Sequence, residues 1–275
     1  MELLCPLCGK ILLKQDKRYV CANHHSFDIA RQGHVNLLPV QNKRSLNPGD
    51  TAQQVAGRRA FLDGGFYAPI RDALWTLAKD HGCTGPILDI GCGEGYYSAH
   101  LAKELNAELL GLDISKEAVR YAAGRYKNAT WICASAARLP VEDRSFGLLT
   151  SLFALTVPEE FHRVLGDGGA YIQVLAAEDH LLNLKNIIYP ELHHKEKFTT
   201  PDIPGFRLVE SRPLRFSFTV EGEQVQNLLG MTPHVYRIGK EGAERLRQTQ
   251  TLTDTASCVL NLYVKEKLCW KSLRR

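Results

Sequence analysis

No apolar run in this 275-residue chain approaches the roughly 18 to 20 residues that a bilayer-spanning helix needs, which excludes that class of membrane protein. The opening Met1-Glu2-Leu3-Leu4-Cys5 has neither the charged nor the apolar region of a signal peptide, so the cytoplasm is the expected address. Charge of one sign is also scarce. The net charge is +4, with 23% charged and 44% hydrophobic residues, close to the soluble globular average, and wholesale disorder is excluded. The length is too small for two full-sized catalytic domains and suits one α/β core with a small accessory. A disulfide framework is missing as well: Cys83, Cys92, Cys133, Cys258 and Cys269 are scattered singly and read as reduced core or loop residues.

What charge there is lies at the front. Residues 1–60 carry nine Lys/Arg against four Asp/Glu, whereas residues 61–275 carry 25 against 26. A basic front on a neutral remainder points to a polyanionic partner held by the accessory part, because fixed positive charge attracts a phosphate backbone whatever its sequence.

The remaining cysteines cluster in the same segment. Cys5-Pro6-Leu7-Cys8-Gly9 brings two thiols together at a tight turn, and after a short polar-tipped hairpin the chain returns to Cys21-Ala22-Asn23-His24-His25. The spacing Cys-x2-Cys-x12-Cys-x3-His offers three thiolates and an imidazole, a closed tetrahedral shell with no place for water, so the zinc it predicts is structural. His25 is the expected fourth ligand and His24 the runner-up. A DNA-reading finger shares such spacing, but the hairpin between Cys8 and Cys21 favours a small zinc ribbon. A segment this short folds only with the metal's help.

A Pro/Gly/Asn-bearing connector at 39–50 precedes two amphipathic helices over 51–80, with Tyr67 and Pro69 near their junction. From residue 86 apolar strands alternate with helical patterns: strands at 87–90, 109–113, 130–133, 148–153 and 170–175, helices near 96–105 and 116–126. This series predicts a largely parallel sheet covered on both faces.

The most informative segment is Asp89-Ile90-Gly91-Cys92-Gly93-Glu94-Gly95, between a buried strand and a helix. A dinucleotide fingerprint would need glycine where Tyr96 stands. Glycine at every second residue behind an acid instead resembles motif I of class I methyltransferases, whose loop cups the amino-acid end of S-adenosylmethionine. Asp113 closes the next strand, placed to accept both ribose hydroxyls. By the same resemblance Ala134-Ser135-Ala136 lies beside the adenine, and Gly166-Asp167-Gly168-Gly169 is the late turn of such domains.

Nearly the full length resembles the 23S ribosomal RNA guanine-N1 methyltransferases that carry an N-terminal zinc ribbon. The specific pieces are the Cys5, Cys8, Cys21, His25 set, Gly33-His34-Val35-Asn36-Leu37-Leu38-Pro39-Val40-Gln41, Asn47-Pro48-Gly49-Asp50, Arg58-Arg59-Ala60-Phe61-Leu62-Asp63 and the stretch from Leu88 to Tyr97. The resemblance implies an α/β fold: a Rossmann-like methyltransferase domain over 81–275, a connector and helical entry over 39–80, and a zinc ribbon over 1–38. It implies S-adenosylmethionine and structural zinc as cofactors, ribosomal RNA as partner, a homodimer, and donor contacts at Tyr67, Asp89, Gly91, Gly93, Glu94, Gly95, Asp113, Ser135 and His180. The chain departs from the family at Phe153-Ala154-Leu155-Thr156, where Ala-Pro is usual and where relatives face the methyl acceptor. Guanine N1 carries a proton, so a base is required; the sequence leaves it unassigned, with His180 as a candidate. The competing readings are a small-molecule methyltransferase and an RNA-binding protein that keeps the fold without the chemistry. Lys43-Arg44 and Arg58-Arg59, which suit phosphates, weigh against the first.

Overall fold

The structure, a computed structural model, describes residues 1–39, 41, 48–192 and 198–267. Val40, Lys43, Arg44, Asn47 and Cys269, each brought forward by the sequence, lie outside the described residues.

The front of the chain forms a four-stranded antiparallel sheet: β1 (Leu3–Leu4), β2 (Ile11–Gln15), β3 (Arg18–Cys21) and β4 (Ser26–Asp28), in that order. The β2–β3 hairpin turns at Asp16, whose φ of 50° is a left-handed conformation that Asp tolerates better than most residues. Leu12 is buried, whereas Ile11 and Leu13 on the other side of the pleat are exposed.

The main sheet has eight described strands. These are β5 (Val35–Asn36), β6 (Ile87–Ile90), β7 (Leu109–Asp113), β8 (Thr130–Cys133), β9 (Phe146–Leu152), β10 (Leu165–Ala176), β11 (Phe206–Glu221) and β12 (Thr251–Lys265), in the order β11-β12-β10-β9-β6-β7-β8-β5. The strands from β10 to β5 are parallel to their neighbours, while β12 runs antiparallel to both β10 and β11. The expected strands and the largely parallel sheet are therefore present, and an antiparallel pair completes one edge. The helices are α1 (Ala52–Asp63), α2 (Ala68–Asp80), α3 (Tyr96–Glu104), α4 (Lys116–Arg125), α5 (Pro158–Val164), α6 (Leu182–Ile188), α7 (Glu223–Gly230) and α8 (Lys240–Gln248). Thr51 and Gln54 form a reciprocal capping box that starts α1 immediately after the connector.

Strand alternation divides the core. Ile87, Leu109, Trp131 and Leu148 pack with Phe61, Leu74, Leu101 and Val119 from α1 to α4, whereas Leu88, Leu110, Ile132 and Leu149 pack with Phe161 and Val164 of α5 on the opposite side. That second cluster also contains Leu3, Cys5, Leu12 and Cys21. The ribbon is thus not a tethered bead. It covers part of one face of the main sheet, pinned by a bridge between Leu3 and Val141 and by Leu4 N–H donating to the Pro140 carbonyl at 2.8 Å.

Strand order reverses between β6 and its neighbours β7 and β9, so connections leave in opposite directions there and a crevice opens beyond the carboxyl ends. Trp131 of β8 fills the space beneath that crevice: it is 1% exposed and its Nε1–H donates to the Tyr126 carbonyl at 2.9 Å. Trp131→Ala should therefore destabilise the protein by about 3–5 kcal/mol through the cavity it leaves, an effect read from the midpoint of chemical denaturation.

Candidate active site and metal centre

The four residues picked from the cysteine spacing come together. Their ligand atoms all lie within 4.8 Å of one another, with Cys8 Sγ to Cys21 Sγ at 3.7 Å and His25 Nδ1 at 3.4 Å from Cys5 Sγ and 3.5 Å from Cys21 Sγ. A tetrahedron with zinc–sulfur bonds of about 2.3 Å has sulfur–sulfur edges of about 3.8 Å, so the set fits a zinc ion without rearrangement. The local backbone explains the fit. Cys5 N–H donates to Lys10 and Gly9 N–H to Cys5, closing the first turn, while His24 at φ 61° turns the second loop so that His25 faces the metal and His24 faces solvent.

At the carboxyl end of β6, the loop 91–95 opens α3. Gly91 N–H donates to the Leu112 carbonyl, and Gly93 and Gly95 adopt φ of 55° and 82°, a region that side chains rarely enter. A Cβ on Gly95 would lie 2.6 Å from the Trp131 ring, so the loop rests directly on the indole. Asp89, one residue before the loop bends, is buried and accepts from Thr150 Oγ1 at 2.6 Å; burial pushes its carboxyl up to about 6. It supports the loop from below.

Asp113 ends β7 beside the loop. Its carboxylate accepts from Gly93 N–H at 2.9 Å and from Ser115 N–H at 2.8 Å. Burial raises its pKa, while those two N–H groups and the Arg58 guanidinium oppose the rise. A carboxylate has about four acceptor positions, and the two that remain suit ribose hydroxyls. Glu94 is buried, with Oε2 unpartnered among the described residues, and burial pushes its carboxyl up to about 7 against the pull of Arg58. A cradle that admits only glycine, a partnered acid beside it and an orphaned buried carboxylate oxygen fit the amino-acid and ribose parts of S-adenosylmethionine. Ser135 follows β8, half-buried, its Oγ accepting from Ala137 N–H at 3.2 Å.

Tyr67 and His180 meet from distant parts of the chain. Tyr67 Oη stands 3.3 Å from His180 Nε2, and His180 Nδ1 accepts from Ser257 N–H of β12 at 3.2 Å. With Nδ1 accepting, the neutral imidazole carries its proton on Nε2 and donates it to Tyr67. The tyrosine is fully enclosed by Phe61, Phe216 and Phe218, and burial raises its pKa strongly. The departure at 153–156 lies against this site. Ala154 Cβ is 2.7 Å from where a Cβ on Gly91 would be, Phe153 is 42% exposed with its ring 5.9 Å from the His180 ring, and Leu155 is 77% exposed.

Two residues were not legible as site residues. Arg58 reads in the sequence as a phosphate contact with Arg59, but successive helix positions point apart. Arg59 reaches Tyr121 Oη, and Arg58 turns to the donor loop and forms an ion pair with Asp50. Asp50 itself is anchored by Ser115 Oγ–H donating to its carbonyl at 2.7 Å.

An acid-led glycine loop at the reversal point of a parallel sheet, a second acid at the end of the next strand and a zinc ribbon define a class I S-adenosylmethionine methyltransferase with a structural zinc. Family models agree on both halves: the N-terminal zinc ribbon of the RlmA proteins matches residues 3–46 and a methyltransferase domain matches 87–169. The chain is 34% identical over 239 residues to the "23S rRNA (guanine(748)-N(1))-methyltransferase" of Streptomyces fradiae, covering 84% of each protein. It is 29% identical over 266 residues to the "Putative 23S rRNA (guanine-N(1)-)-methyltransferase YxjB" of Bacillus subtilis, covering 90% of this chain and 91% of that one. The chain belongs to the 23S rRNA (guanine-N1)-methyltransferase family.

Because the ribbon shares a core cluster with the main sheet, zinc loss should be felt throughout. Cys21→Ser should abolish stoichiometric zinc in elemental analysis and lower the melting temperature of the whole chain, not only of the front segment. Glu94 gives a pH signature. With about 7 in the folded chain against an ordinary 4.5, the folded state holds a proton that the unfolded state releases between those values. Its contribution to stability therefore falls as pH rises through that window and stays low above it. In ligand-free protein, Glu94→Gln should raise stability by on the order of 2 kcal/mol above pH 7, a gain that fades towards pH 5 in a series of thermal melts.

Proposed function

We propose that this protein methylates N1 of a guanine in a hairpin of 23S ribosomal RNA, using S-adenosylmethionine as donor. The observation that carries the reading is the extent of the likeness to the Streptomyces relative, which covers 84% of both chains. The proposed division of the chain is a ribbon over 1–38, a connector and helical entry over 39–80, and the catalytic domain over 81–275. We assign it to the cytoplasm as a homodimer.

The donor, when bound, would supply an electrophilic methyl on sulfur: the N1–C bond forms as the S–C bond breaks, S-adenosylhomocysteine is the leaving group, and the N1 proton passes to solvent. The residues' part is to hold the reactants at near-attack distance, since in-line displacement needs no covalent nucleophile from the protein. Asp113 would take the ribose hydroxyls, Ser135 would flank the adenine, and Gly91, Gly93, Glu94 and Gly95 would hold the amino-acid end, with Asp89 supporting the loop. His180 holds Tyr67 rather than serving as the base: its Nδ1 is occupied by Ser257 N–H and its Nε2 proton goes to Tyr67. Tyr67 then has its own hydroxyl proton to offer across the site.

The N1 edge of guanine is its pairing edge, so the base must leave its helix before attack. Phe153 offers an exposed ring beside His180 on which a displaced base can stack. The basic front and the ribbon supply the polyanion grip, which makes binding weaken as salt rises.

The product can be read directly. A methyl on N1 removes a pairing donor and adds bulk to the pairing edge, so reverse transcriptase should halt one nucleotide before the modified guanine in wild-type ribosomal RNA. It should read through in RNA from a strain lacking the gene, and incubating that RNA with purified protein and donor should restore the stop. Identical stops and identical nucleoside profiles in the two strains would remove the ribosomal assignment.

A further inference from the structure

Arg58 extends from α1 into the donor site, its side chain only 24% exposed. One nitrogen of its guanidinium pairs with the Asp50 carboxylate. A second, Nη1, lies 3.5 Å from where a Cβ on Gly93 would be and has no hydrogen-bond partner among the described residues. It therefore stands beside Gly93 of the cradle with donors to spare. Beside it, Glu94 Oε2 is buried and also unpartnered. A free cationic donor and an unpartnered carboxyl oxygen flank one glycine, and an arriving ammonium would favour the ionised form of that carboxyl.

This is the complement of an α-amino acid, which carries a carboxylate and an ammonium on a single carbon. The surroundings sharpen the assignment. Asp50, Glu94 and Asp113 all lie close enough to Arg58 to act on its charge, and burial works against that charge while the three acids sustain it. A fourth carboxylate entering such a cluster is repelled unless it meets the cation directly. A planar guanidinium can take two carboxylates on different edges, so Asp50 need not leave. Asp50 is itself fixed through Ser115, which follows the strand that ends in the ribose acid, and so the guanidinium is positioned from the same turn that positions the ribose.

We propose that Arg58 binds the carboxylate of the methionine moiety of the donor, with Asp50 holding the guanidinium in place and Glu94 receiving the neighbouring ammonium. The proposal rests on the reading of the chain as an S-adenosylmethionine enzyme. It turns the Arg58-Arg59 pair, which as sequence looks like a phosphate grip, into two residues with separate tasks.

The test uses the full-length zinc-loaded protein and two probes, S-adenosylmethionine and decarboxylated S-adenosylmethionine, which differ in that one carboxylate. Affinities come from displacement of labelled S-adenosylhomocysteine. Wild type should prefer the intact donor by about tenfold or more, the scale of a charge-assisted hydrogen bond. Arg58→Gln should bind the two probes alike to within about twofold, and Arg58→Lys should keep a reduced preference. If Arg58→Gln keeps the wild-type preference, or if both variants lose both probes equally while remaining folded by circular dichroism, the proposal is overturned. Should the Gln variant fail to fold, Arg58→Lys decides, because an unchanged preference there also overturns it. A wild-type protein that binds both probes equally defeats this proposal and leaves the donor reading intact. One that binds neither, nor the labelled ligand, defeats the donor reading first.

Discussion

The donor site depends on the loop 91–95 lying flat on the Trp131 indole. No side chain fits at position 95, because the ring stands 2.6 Å from where a Cβ would be, and the left-handed φ of Gly93 and Gly95 lets the chain bend there without strain. The bend puts Gly93 N–H on Asp113 and so joins the ends of two neighbouring strands into one rigid rim. Side chains that act on a ligand can then be supplied from elsewhere around that rim.

Charge is the second constraint on that rim. Asp89, Glu94 and Asp113 are collected at the ends of two strands, and burial raises the pKa of each. Such a cluster costs stability in the absence of ligand. It is held by Thr150 on Asp89, by backbone N–H groups on Asp113 and by the Arg58–Asp50 pair brought in on the connector and α1. Stability given up at a site in this way is a common mark of function. Here it yields a cluster of acids that favours a cationic, hydroxyl-rich ligand, which is the chemistry of a sulfonium nucleoside.

The ribbon is part of the main core rather than an appendage to it. Its Leu3, Leu12 and two zinc-ligating cysteines belong to the same buried cluster as β6, β7 and β8. The metal therefore stabilises a surface that covers the main sheet, and the ribbon stands in a fixed place relative to the donor site.

Residue spacing alone carried the zinc set, the glycine loop, the acid that ends the next strand and the succession of strands and helices from 86 to 176. Each of these is local: turn geometry, strand alternation and ligand count act over a few to a dozen residues and leave a pattern that can be read along the chain. What the sequence could not carry was direction and distance in space. Nothing in Arg58-Arg59 says that one side chain turns to the donor loop and the other to Tyr121. Nothing near Tyr67 announces that His180, 113 positions later, will hold its hydroxyl and be held by Ser257. Likewise, four cysteine and histidine ligands announce a zinc but not which face of which sheet the ribbon will cover. Those facts arise from the packing of α1, α2 and β12 over one core, where burial and long-range hydrogen bonds choose among partners that the sequence leaves equally open.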